Sequence, residues 1–342
     1  MLWDEFIEQM PKVELHVHLE GSIRPETLLK LARRNGIELP ADDLDGLKKW
    51  YAFRDFPHFA EIYWTIGRCL RTADDIELIA REFLVGQKAQ NVLHSEVTYT
   101  ALTQFKQCNI AFDDQLAALN RARRWGVSEL GASMAVVMDI PRDRATVEEG
   151  EMVGAWAAEG FGQGIDAIGL GGYEVGYPPE MFKSGFDLAR KAGVPSVPHA
   201  GETEGPSSIW GAINELGAIR LGHGIRCLED RELVDTLREK GITLEVCPSS
   251  NVCLNVVPSW EEHPLPQLLS EGLRVTINSD DPPMFSTTLT DEWKQAQKTF
   301  DLDRATVETL TLNAVDACFL PPDKKAALRE TVVAQLSVLA IA

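Results

Sequence analysis

Two histidines separated by a single residue, His16 and His18, are the first side chains along the chain whose types and spacing could do chemistry. They lie in a run that is predicted as a strand over residues 13–19. Because side chains alternate faces along a strand, both imidazoles would point to the same side. Two neutral imidazoles that face one way can share a transition metal such as zinc. Taken alone, however, the pair is more typical of two histidines with ordinary structural roles.

Further polar residues follow other predicted strands. His199 and Asp280 would complete a set of three histidines and one aspartate, with an open position for water. Glu202 lies three residues beyond His199, and Asp281 adjoins Asp280, where two carboxylates repel unless a cation or proton separates them. His223 stands between two glycines that leave its ring accessible. Taken singly, these residues also fit a solvated turn, a glutamate at a helix N-terminus and a packed core histidine.

The elements that must position these residues alternate between short apolar runs and longer stretches of helical periodicity. This alternation is typical of βαβ units around a parallel sheet. Eight strands are predicted, over residues 13–19, 92–99, 133–139, 167–171, 194–200, 220–224, 243–247 and 275–278. Helices are predicted over 24–35 and 73–90, and again after residue 303. Eight strands are the number that closes an α/β (β/α)8 TIM barrel, here with additional helices after strand 1 and at the C-terminus.

In a closed barrel the carboxyl ends of all strands share one mouth, where the catalytic groups of this fold are found. The candidate residues would therefore converge from both ends of the chain. No Ser/Gly-rich linker, low-complexity segment or charge block marks a boundary, so one domain is expected over residues 1–342. A doubly wound sheet has the same alternation and differs only in closure.

The composition excludes several classes of function. With 342 residues, 44% hydrophobic and 25% charged, the chain has the composition of a globular protein with a large core. A net charge of −19 disfavours nucleic acid and anionic membranes as partners. Six cysteines without a C-x-x-C pair indicate reduced thiols. The N-terminus shows neither a signal peptide nor a membrane anchor, so a cytoplasmic protein is expected, with a homo-oligomer left open.

Six motifs give the chain a strong resemblance to the adenosine and adenine deaminase family of metal-dependent hydrolases. They are PKVELHVHLEGS at 11–22, GLGGYE at 169–174, HAGE at 199–202, RLGHGIR at 220–226, CPSSN at 247–251 and NSDDP at 278–282. They occur in the order of the family and cover most of the chain. The resemblance implies a zinc-dependent barrel that hydrolyses the exocyclic amine of a 6-aminopurine and releases ammonia.

The resemblance also assigns roles, residue by residue. It implies one zinc ion per chain, with four ligands: His16, His18, His199 and Asp280. Glu202 matches the residue that protonates purine N1, and His223 matches the histidine that orients and helps activate the water. Asp281 matches the carboxylate that holds N7. Gly172 matches the backbone donor to N3.

The substrate is less closely defined than the reaction. The family's adenosine-specific members typically have Asp where this chain has Glu20, at the position that meets the ribose. Glu20 resembles adenine deaminases and several broader bacterial members, and the stretch EVGYPPEMF at 174–182 resembles adenine deaminases. Thr100 falls where a small hydroxyl residue often lies near the substrate. An adenine nucleoside such as adenosine is the first expectation, with adenine, or a modified nucleoside such as aminodeoxyfutalosine, as the alternative.

Three other functions compete with this one. A binuclear amidohydrolase would need a lysine at the end of strand four, where this chain reads AIGLGGYE. A deaminase of bases in nucleic acid would need H-x-E with P-C-x-x-C, which is missing. A catalytically silent barrel that binds a nucleoside would not need the full catalytic set. The aromatic segment 53–64 is predicted to pack in the core, with a lid as the alternative, and His58, His94 and His263 are predicted to have structural or surface roles.

Overall fold

The computed structural model describes residues 2–53 and 56–339, and within them it contains eight parallel strands. The strands are β1 (Lys12–His18), β2 (Val92–Tyr99), β3 (Ser133–Pro141), β4 (Ala167–Gly171), β5 (His199–Ala200), β6 (Arg220–His223), β7 (Thr243–Val246) and β8 (Arg274–Ile277). Seven of these lie within two residues of the predicted bounds. The sequence therefore identified the strand framework of the fold.

The strands form a closed barrel. Hydrogen-bonded ladders join β1 to β4 and β5 to β8 in chain order. A parallel bridge between Ile168 and Ser196 links the two halves on one side. On the other side the N–H of His18 donates to the carbonyl of Asp280 at 2.9 Å. This closure confirms the predicted barrel and excludes the doubly wound sheet.

The fifth strand is shorter than predicted. Residues 194–200 were expected to form one strand, but only His199–Ala200 pairs as a ladder, with an isolated bridge at Ser196. Pro195 and Pro198 lie in the interval, and proline has no backbone N–H to donate to a neighbouring strand. The chain still follows the course of a barrel strand, so His199 reaches the mouth.

Sixteen α-helices surround the barrel within the described ranges. They are α1 (Trp3–Gln9), α2 (Pro25–Asn35), α3 (Leu44–Tyr51), α4 (Phe56–Arg68), α5 (Ala73–Ala89), α6 (Ala101–Cys108), α7 (Phe112–Trp125), α8 (Val147–Gly160), α9 (Lys183–Lys191), α10 (Pro206–Asn214), α11 (Arg231–Lys240), α12 (Pro248–Cys253), α13 (Leu265–Ser270), α14 (Leu289–Phe300), α15 (Arg304–Ala317) and α16 (Pro322–Val338). The additional helices after strand 1 and at the C-terminus are present as predicted. No helix in these ranges is long and apolar enough to cross a membrane.

The two faces of the barrel wall differ in chemistry, as β1 shows. All seven of its residues are buried, because helices cover the outside and side chains fill the inside. Val13, Leu15 and Val17 belong to the hydrophobic clusters of the molecule. The alternate positions His16 and His18 therefore face the barrel interior. A strand pattern with period two thus places both imidazoles together inside the mouth.

The contact between α8 and α9 depends on glycine. A Cβ atom added at Gly154 would lie 2.1 Å from the backbone oxygen of Gly185, so the two helices approach too closely for a side chain. At Gly86 in α5, by contrast, an added Cβ atom would have no other atom within 4 Å. The two positions therefore form a matched pair for a stability test.

We expect Gly154→Ala to lower the free energy of unfolding by about 1–3 kcal/mol, because the methyl group forces the helices apart. Gly86→Ala should instead raise it by about 0.5–1 kcal/mol, since alanine favours a helix over the unfolded chain. Urea denaturation of both variants measures the difference. Equal changes in the free energy of unfolding for the two variants would contradict the close contact between α8 and α9 at Gly154.

Candidate active site

A cleft opens at the carboxyl ends of the strands, where the sequence predicts the site. It is lined by His18, Phe59, Ala60, Tyr63, Trp64, Thr100, Thr103, Asp139, Pro141, Asp143, Arg144, Gly172, His199, Glu202, His223, Leu254, Asp280 and Asp281. These residues come from nearly the whole length of the chain. The closed barrel therefore brings the predicted polar residues to one place.

Three imidazoles and a carboxylate meet at the base of this cleft. The Nε2 atoms of His18 and His199 lie 3.1 Å apart. Asp280 Oδ1 lies 3.2 Å from His18 Nε2 and 3.5 Å from His16 Nε2. All four side chains are buried. The four predicted metal ligands are thus brought together.

The chemistry of this cluster fits a bound cation. Two imidazole nitrogens 3.1 Å apart need a proton or a metal between them, because two lone pairs repel. Among the described residues His16 Nε2 has no hydrogen-bond partner. Burial disfavours charged imidazoles, yet Asp280 and Glu245 raise the pKa of His16 to about 10. The site is therefore built to hold positive charge beside Asp280.

Two residues of the site have strained backbones. His223 and Asp280 have φ angles of 60° and 63°, in the left-handed region that residues with a Cβ rarely adopt. Each such residue costs on the order of 1–3 kcal/mol. Both residues line the cleft, His223 as the last residue of β6 and Asp280 three residues after β8 ends. Strain of this kind is concentrated at functional sites.

Glu202 is the buried acid of the site. Its Oε1 atom has no hydrogen-bond partner within the described chain and lies 3.6 Å from His223 Nε2. Burial raises its pKa well above the usual range, and the carboxylates of Asp280 and Glu174 add to the effect. Burial at this position therefore favours the neutral acid of Glu202 over its carboxylate.

The loop that carries Glu202 is anchored by Glu174, a residue without an assigned role in the sequence analysis. Its carboxylate accepts hydrogen bonds from the backbone N–H groups of Gly201, Glu202 and Thr203, at 2.8–3.0 Å. It also accepts one from the hydroxyl of Ser208. A single carboxylate thus fixes the backbone on both sides of the acid.

Asp281 and Gly172 also line the cleft, as predicted. Burial raises the pKa of Asp281 to about 8, although the nearby His18 lowers it. A Cβ atom added at Gly21 would lie 1.5 Å from Asp281 Oδ1, so glycine there leaves room for the carboxylate. Gly172 has a φ angle of +85°, which suits glycine and exposes its backbone to the cleft.

Glu20 is placed differently from Thr100. Thr100 lines the cleft, whereas Glu20 is fully buried and is not among the lining residues. One oxygen of Glu20 accepts the N–H of Thr100 at 3.1 Å, and the other accepts the hydroxyl of Tyr63 at 3.4 Å. Tyr63 itself lines the cleft, so it covers the Glu20 carboxylate.

Asp139 is a site residue that the sequence analysis missed. It is buried at the end of β3, lines the cleft, and has an Oδ1 atom without a partner among residues 2–53 and 56–339. Burial raises its pKa to about 7. A Cβ atom added at Gly171 would lie 2.5 Å from its Oδ2, so the glycine leaves space for this carboxylate. Its position at a strand end was the signal that could have identified it.

The aromatic segment supplies a wall of the cleft. Residues 54 and 55 lie outside the described part of the chain, but α4 presents Phe59, Tyr63 and Trp64 to the cavity. The ring of Phe59 stacks on Phe285, with centroids 5.8 Å apart and an angle of 10°. The segment is therefore packed against the barrel, as predicted, and it also forms part of the cleft wall, where the alternative placed a lid.

Beneath the cluster, a chain of buried charges supports His16. Its Nδ1 lies 3.1 Å from Glu245 Oε2, and the other oxygen of Glu245 accepts Arg220 Nε at 2.7 Å. The guanidinium lies 2.6 Å from Glu96 and stacks over Phe319 at 3.9 Å. A carboxylate at Nδ1 keeps the hydrogen there and leaves the Nε2 lone pair facing the cluster.

A closed barrel with a buried histidine and aspartate cluster at its carboxyl-end mouth fits the class of metal-dependent hydrolases. The sequence model described as adenosine deaminase matches residues 11–335. The chain therefore belongs to the adenosine deaminase family, as its motifs indicated. Membership makes it a hydrolase that acts on carbon–nitrogen bonds.

Individual relatives extend over nearly the whole chain. An adenine deaminase of Chlorobium phaeobacteroides is 37% identical over 322 residues, which cover 94% of this chain and 95% of that protein. An aminodeoxyfutalosine deaminase of Streptomyces avermitilis is 38% identical over 325 residues, covering 94% and 90%. The crystal structure of an amidohydrolase from Burkholderia ambifaria with bound zinc is 27% identical, has a TM-score of 0.90, and covers 98% of this chain and 92% of that chain.

We expect Glu245→Gln to weaken zinc binding by about 10–100-fold, because His16 loses the carboxylate that orients it. Competition with a chromophoric chelator measures the affinity. Asp75→Asn is the matched control, since Asp75 is also a buried carboxylate paired with an arginine, but lies at the start of α5. The control should lower the melting temperature without changing zinc affinity. Wild-type affinity in Glu245→Gln would contradict the role of Glu245.

Proposed function

We propose that the protein is a zinc-dependent hydrolytic deaminase of a 6-aminopurine. The observation that supports this most directly is the position of Glu202. A buried acid with a raised pKa stands beside a histidine and aspartate cluster that fits a metal, within a cleft wide enough to admit a ligand. A general acid and a metal side by side are what hydrolysis of a heteroaromatic amine requires.

One zinc ion per chain is proposed, with His16, His18, His199 and Asp280 as its ligands. Zinc supplies Lewis acidity that brings the pKa of a water molecule toward neutrality. The zinc found in the Burkholderia ambifaria structure supports this choice. His223 also lies near Asp280, with its Nε2 atom 3.8 Å from Oδ2, and we assign it to the water and not to the metal.

The protein groups then handle the protons. Glu202 donates its proton to purine N1, which makes C6 electrophilic, and a water oxygen forms a bond to C6. The Glu202 carboxylate left by that step takes up a proton of the water, whose second proton stays on the oxygen until the leaving step. One proton restores Glu202 and the other goes to the amino group, so the C6–N bond breaks and ammonia leaves. Asp281, whose pKa burial raises to about 8, keeps its proton and donates it in a hydrogen bond to N7, and the backbone N–H of Gly172 donates to N3.

The substrate is proposed as adenosine or a related adenine nucleoside, with adenine as the second candidate. The relatives support both, because one is an adenine deaminase and another acts on aminodeoxyfutalosine. One observation favours adenine. Both oxygens of Glu20 are already engaged inside the protein, by Thr100 and Tyr63, so the carboxylate is covered on the side where a ribose would lie.

Three expectations from the sequence stay predictions. They are a single domain over residues 1–342, a cytoplasmic location, and the possibility of a homo-oligomer. The small-molecule substrate fits the known relatives and the enclosed site. The large negative charge gives no support to a nucleic-acid partner.

Ammonia release from zinc-loaded protein tests the function. The panel contains adenosine, 2′-deoxyadenosine, adenine, aminodeoxyfutalosine, an N6-methylated adenine nucleoside and a cyclic amide. We expect turnover of at least one aminopurine and none of the cyclic amide. Hydrolysis of the cyclic amide alone would indicate a different amidohydrolase, and silence across the panel would favour a barrel that binds without catalysis.

We expect Glu202→Gln to retain zinc and to lower kcat by about 10²–10⁴-fold, because the amide cannot deliver a proton to N1. Glu204→Gln, with the same change of charge two residues along the loop, is the control and should turn over normally. Steady-state kinetics of both variants measure kcat, and metal analysis measures their zinc content. Near-normal turnover by Glu202→Gln would exclude it as the acid.

A further inference from the structure

His263 was predicted to have a structural or surface role, but its hydrogen bonds reach the active site. Its ring is buried, with 3% exposure, and its Nδ1 atom accepts the backbone N–H of Leu265 at 3.1 Å. Burial also lowers its pKa to about 4, so the ring is neutral at pH 7. A neutral imidazole has one donor and one acceptor nitrogen. Because Nδ1 is the acceptor, Nε2 must carry the hydrogen.

This hydrogen fixes the orientation of the next side chain. Nε2 of His263 lies 3.2 Å from Oδ1 of Asn251, which is fully buried. If the amide were reversed, its NH₂ group would face the N–H of His263, and two donors would be buried against each other. The oxygen of Asn251 therefore faces His263. Its NH₂ group faces the other way, toward His223.

The amide in turn fixes the tautomer of His223. Nδ2 of Asn251 lies 3.2 Å from Nδ1 of His223, so this nitrogen accepts a hydrogen bond. Nε2 of His223 must then carry the hydrogen. That atom lies 3.6 Å from Glu202 Oε1 and 3.8 Å from Asp280 Oδ2, at the reacting end of the cleft.

We propose that His263 and Asn251 are positioning residues that lock His223 as the tautomer with its hydrogen on Nε2. In this form His223 donates a hydrogen bond to the oxygen that adds to C6. It does not receive the proton of the attacking water, which goes to the carboxylate of Glu202. This inference deepens the proposed function and rests on it.

The fixed tautomer of His223 also explains why this histidine would not serve as a metal ligand. A ring nitrogen that carries hydrogen has no lone pair for a metal, whereas His16 has its hydrogen held at Nδ1 by Glu245 and is free at Nε2. The two histidines thus face one cluster with opposite tautomers. The hydrogen-bond partner at Nδ1 determines the difference: it is the carboxylate of Glu245 for His16 and the amide of Asn251 for His223.

Asn251→Asp tests the lock with a substitution of nearly equal shape. A carboxylate at this position would accept hydrogen bonds from both histidines, so the hydrogen of His223 should move to Nδ1. We expect kcat to fall by about 10²–10⁴-fold, as a wrong tautomer of a catalytic histidine does elsewhere. KM should change little and zinc content should stay the same.

Ring ¹⁵N NMR of the zinc-loaded protein reads the tautomer without turnover. The His223 signals are assigned by comparison with His223→Gln. In the wild type we expect hydrogen on Nε2, and in Asn251→Asp on Nδ1. Hydrogen on Nδ1 in the wild type, or unchanged kcat in the variant, would overturn the proposal. If the wild type deaminates no aminopurine, the proposed function fails while the spectrum still decides the tautomer.

A second pair of variants keeps the test open if Asn251→Asp does not fold. His263→Gln retains an amide N–H that can donate to Asn251, so we expect the wild-type tautomer of His223. His263→Leu removes the donor, and we expect both tautomers in its spectrum with a reduced kcat. Identical spectra for these two variants would contradict the role of His263.

Discussion

Charges buried together at one end of the barrel have to be balanced, and the rest of the site depends on this constraint. The Nε2 atoms of His16 and His18 lie 3.5 and 3.2 Å from Asp280 Oδ1, and His199 Nε2 lies 3.1 Å from that of His18, all away from solvent. Such a cluster is stable only with protons or a metal among its nitrogens, because a buried unpaired charge is very costly. A metal replaces the protons and leaves the imidazoles neutral, which is the state in which they serve as ligands.

Residues outside the cluster meet this constraint, because their hydrogen bonds determine which ring nitrogen of each histidine carries the hydrogen. Glu245 holds the hydrogen of His16 on Nδ1, and Arg220 holds Glu245. Asn251 has the opposite effect on His223, because its NH₂ group donates to Nδ1 and leaves the hydrogen of the ring on Nε2. Buried ion pairs rarely add stability over apolar packing, so a charged chain of this length is better explained by the orientation it imposes. The enzyme thus treats two similar histidines differently through their neighbours.

The sequence predicted those features that depend on local pattern. Alternation along β1 placed His16 and His18 on one face, and strand ends located Glu202 and Asp281 at the mouth. Features that depend on contact across strands were out of reach. Nothing near Glu245 in the sequence indicates that it faces His16, and Asn251 meets His263 only because α12 and the segment before α13 turn toward β6.

Two further differences have local causes that are visible only afterwards. The predicted fifth strand contains two prolines, and these interrupt its ladder without moving His199 from the mouth. Glu20 follows the histidine pair, but the hydroxyl of Tyr63, which lies in α4 and 43 residues further along the chain, covers its carboxylate. The place of Glu20 beside the histidine pair could be read from the sequence, whereas its contact with Tyr63 could not.

Diffraction data from crystals of the purified enzyme, collected on both sides of the zinc absorption edge, test the central claim most directly. We expect one anomalous peak per chain, about 2.0–2.2 Å from nitrogens of His16, His18 and His199 and from an oxygen of Asp280. His223 should lie outside this ligand set. An absent peak, a second peak, or ligation by His223 in place of His18 would contradict the charge balance and the opposite tautomers described above.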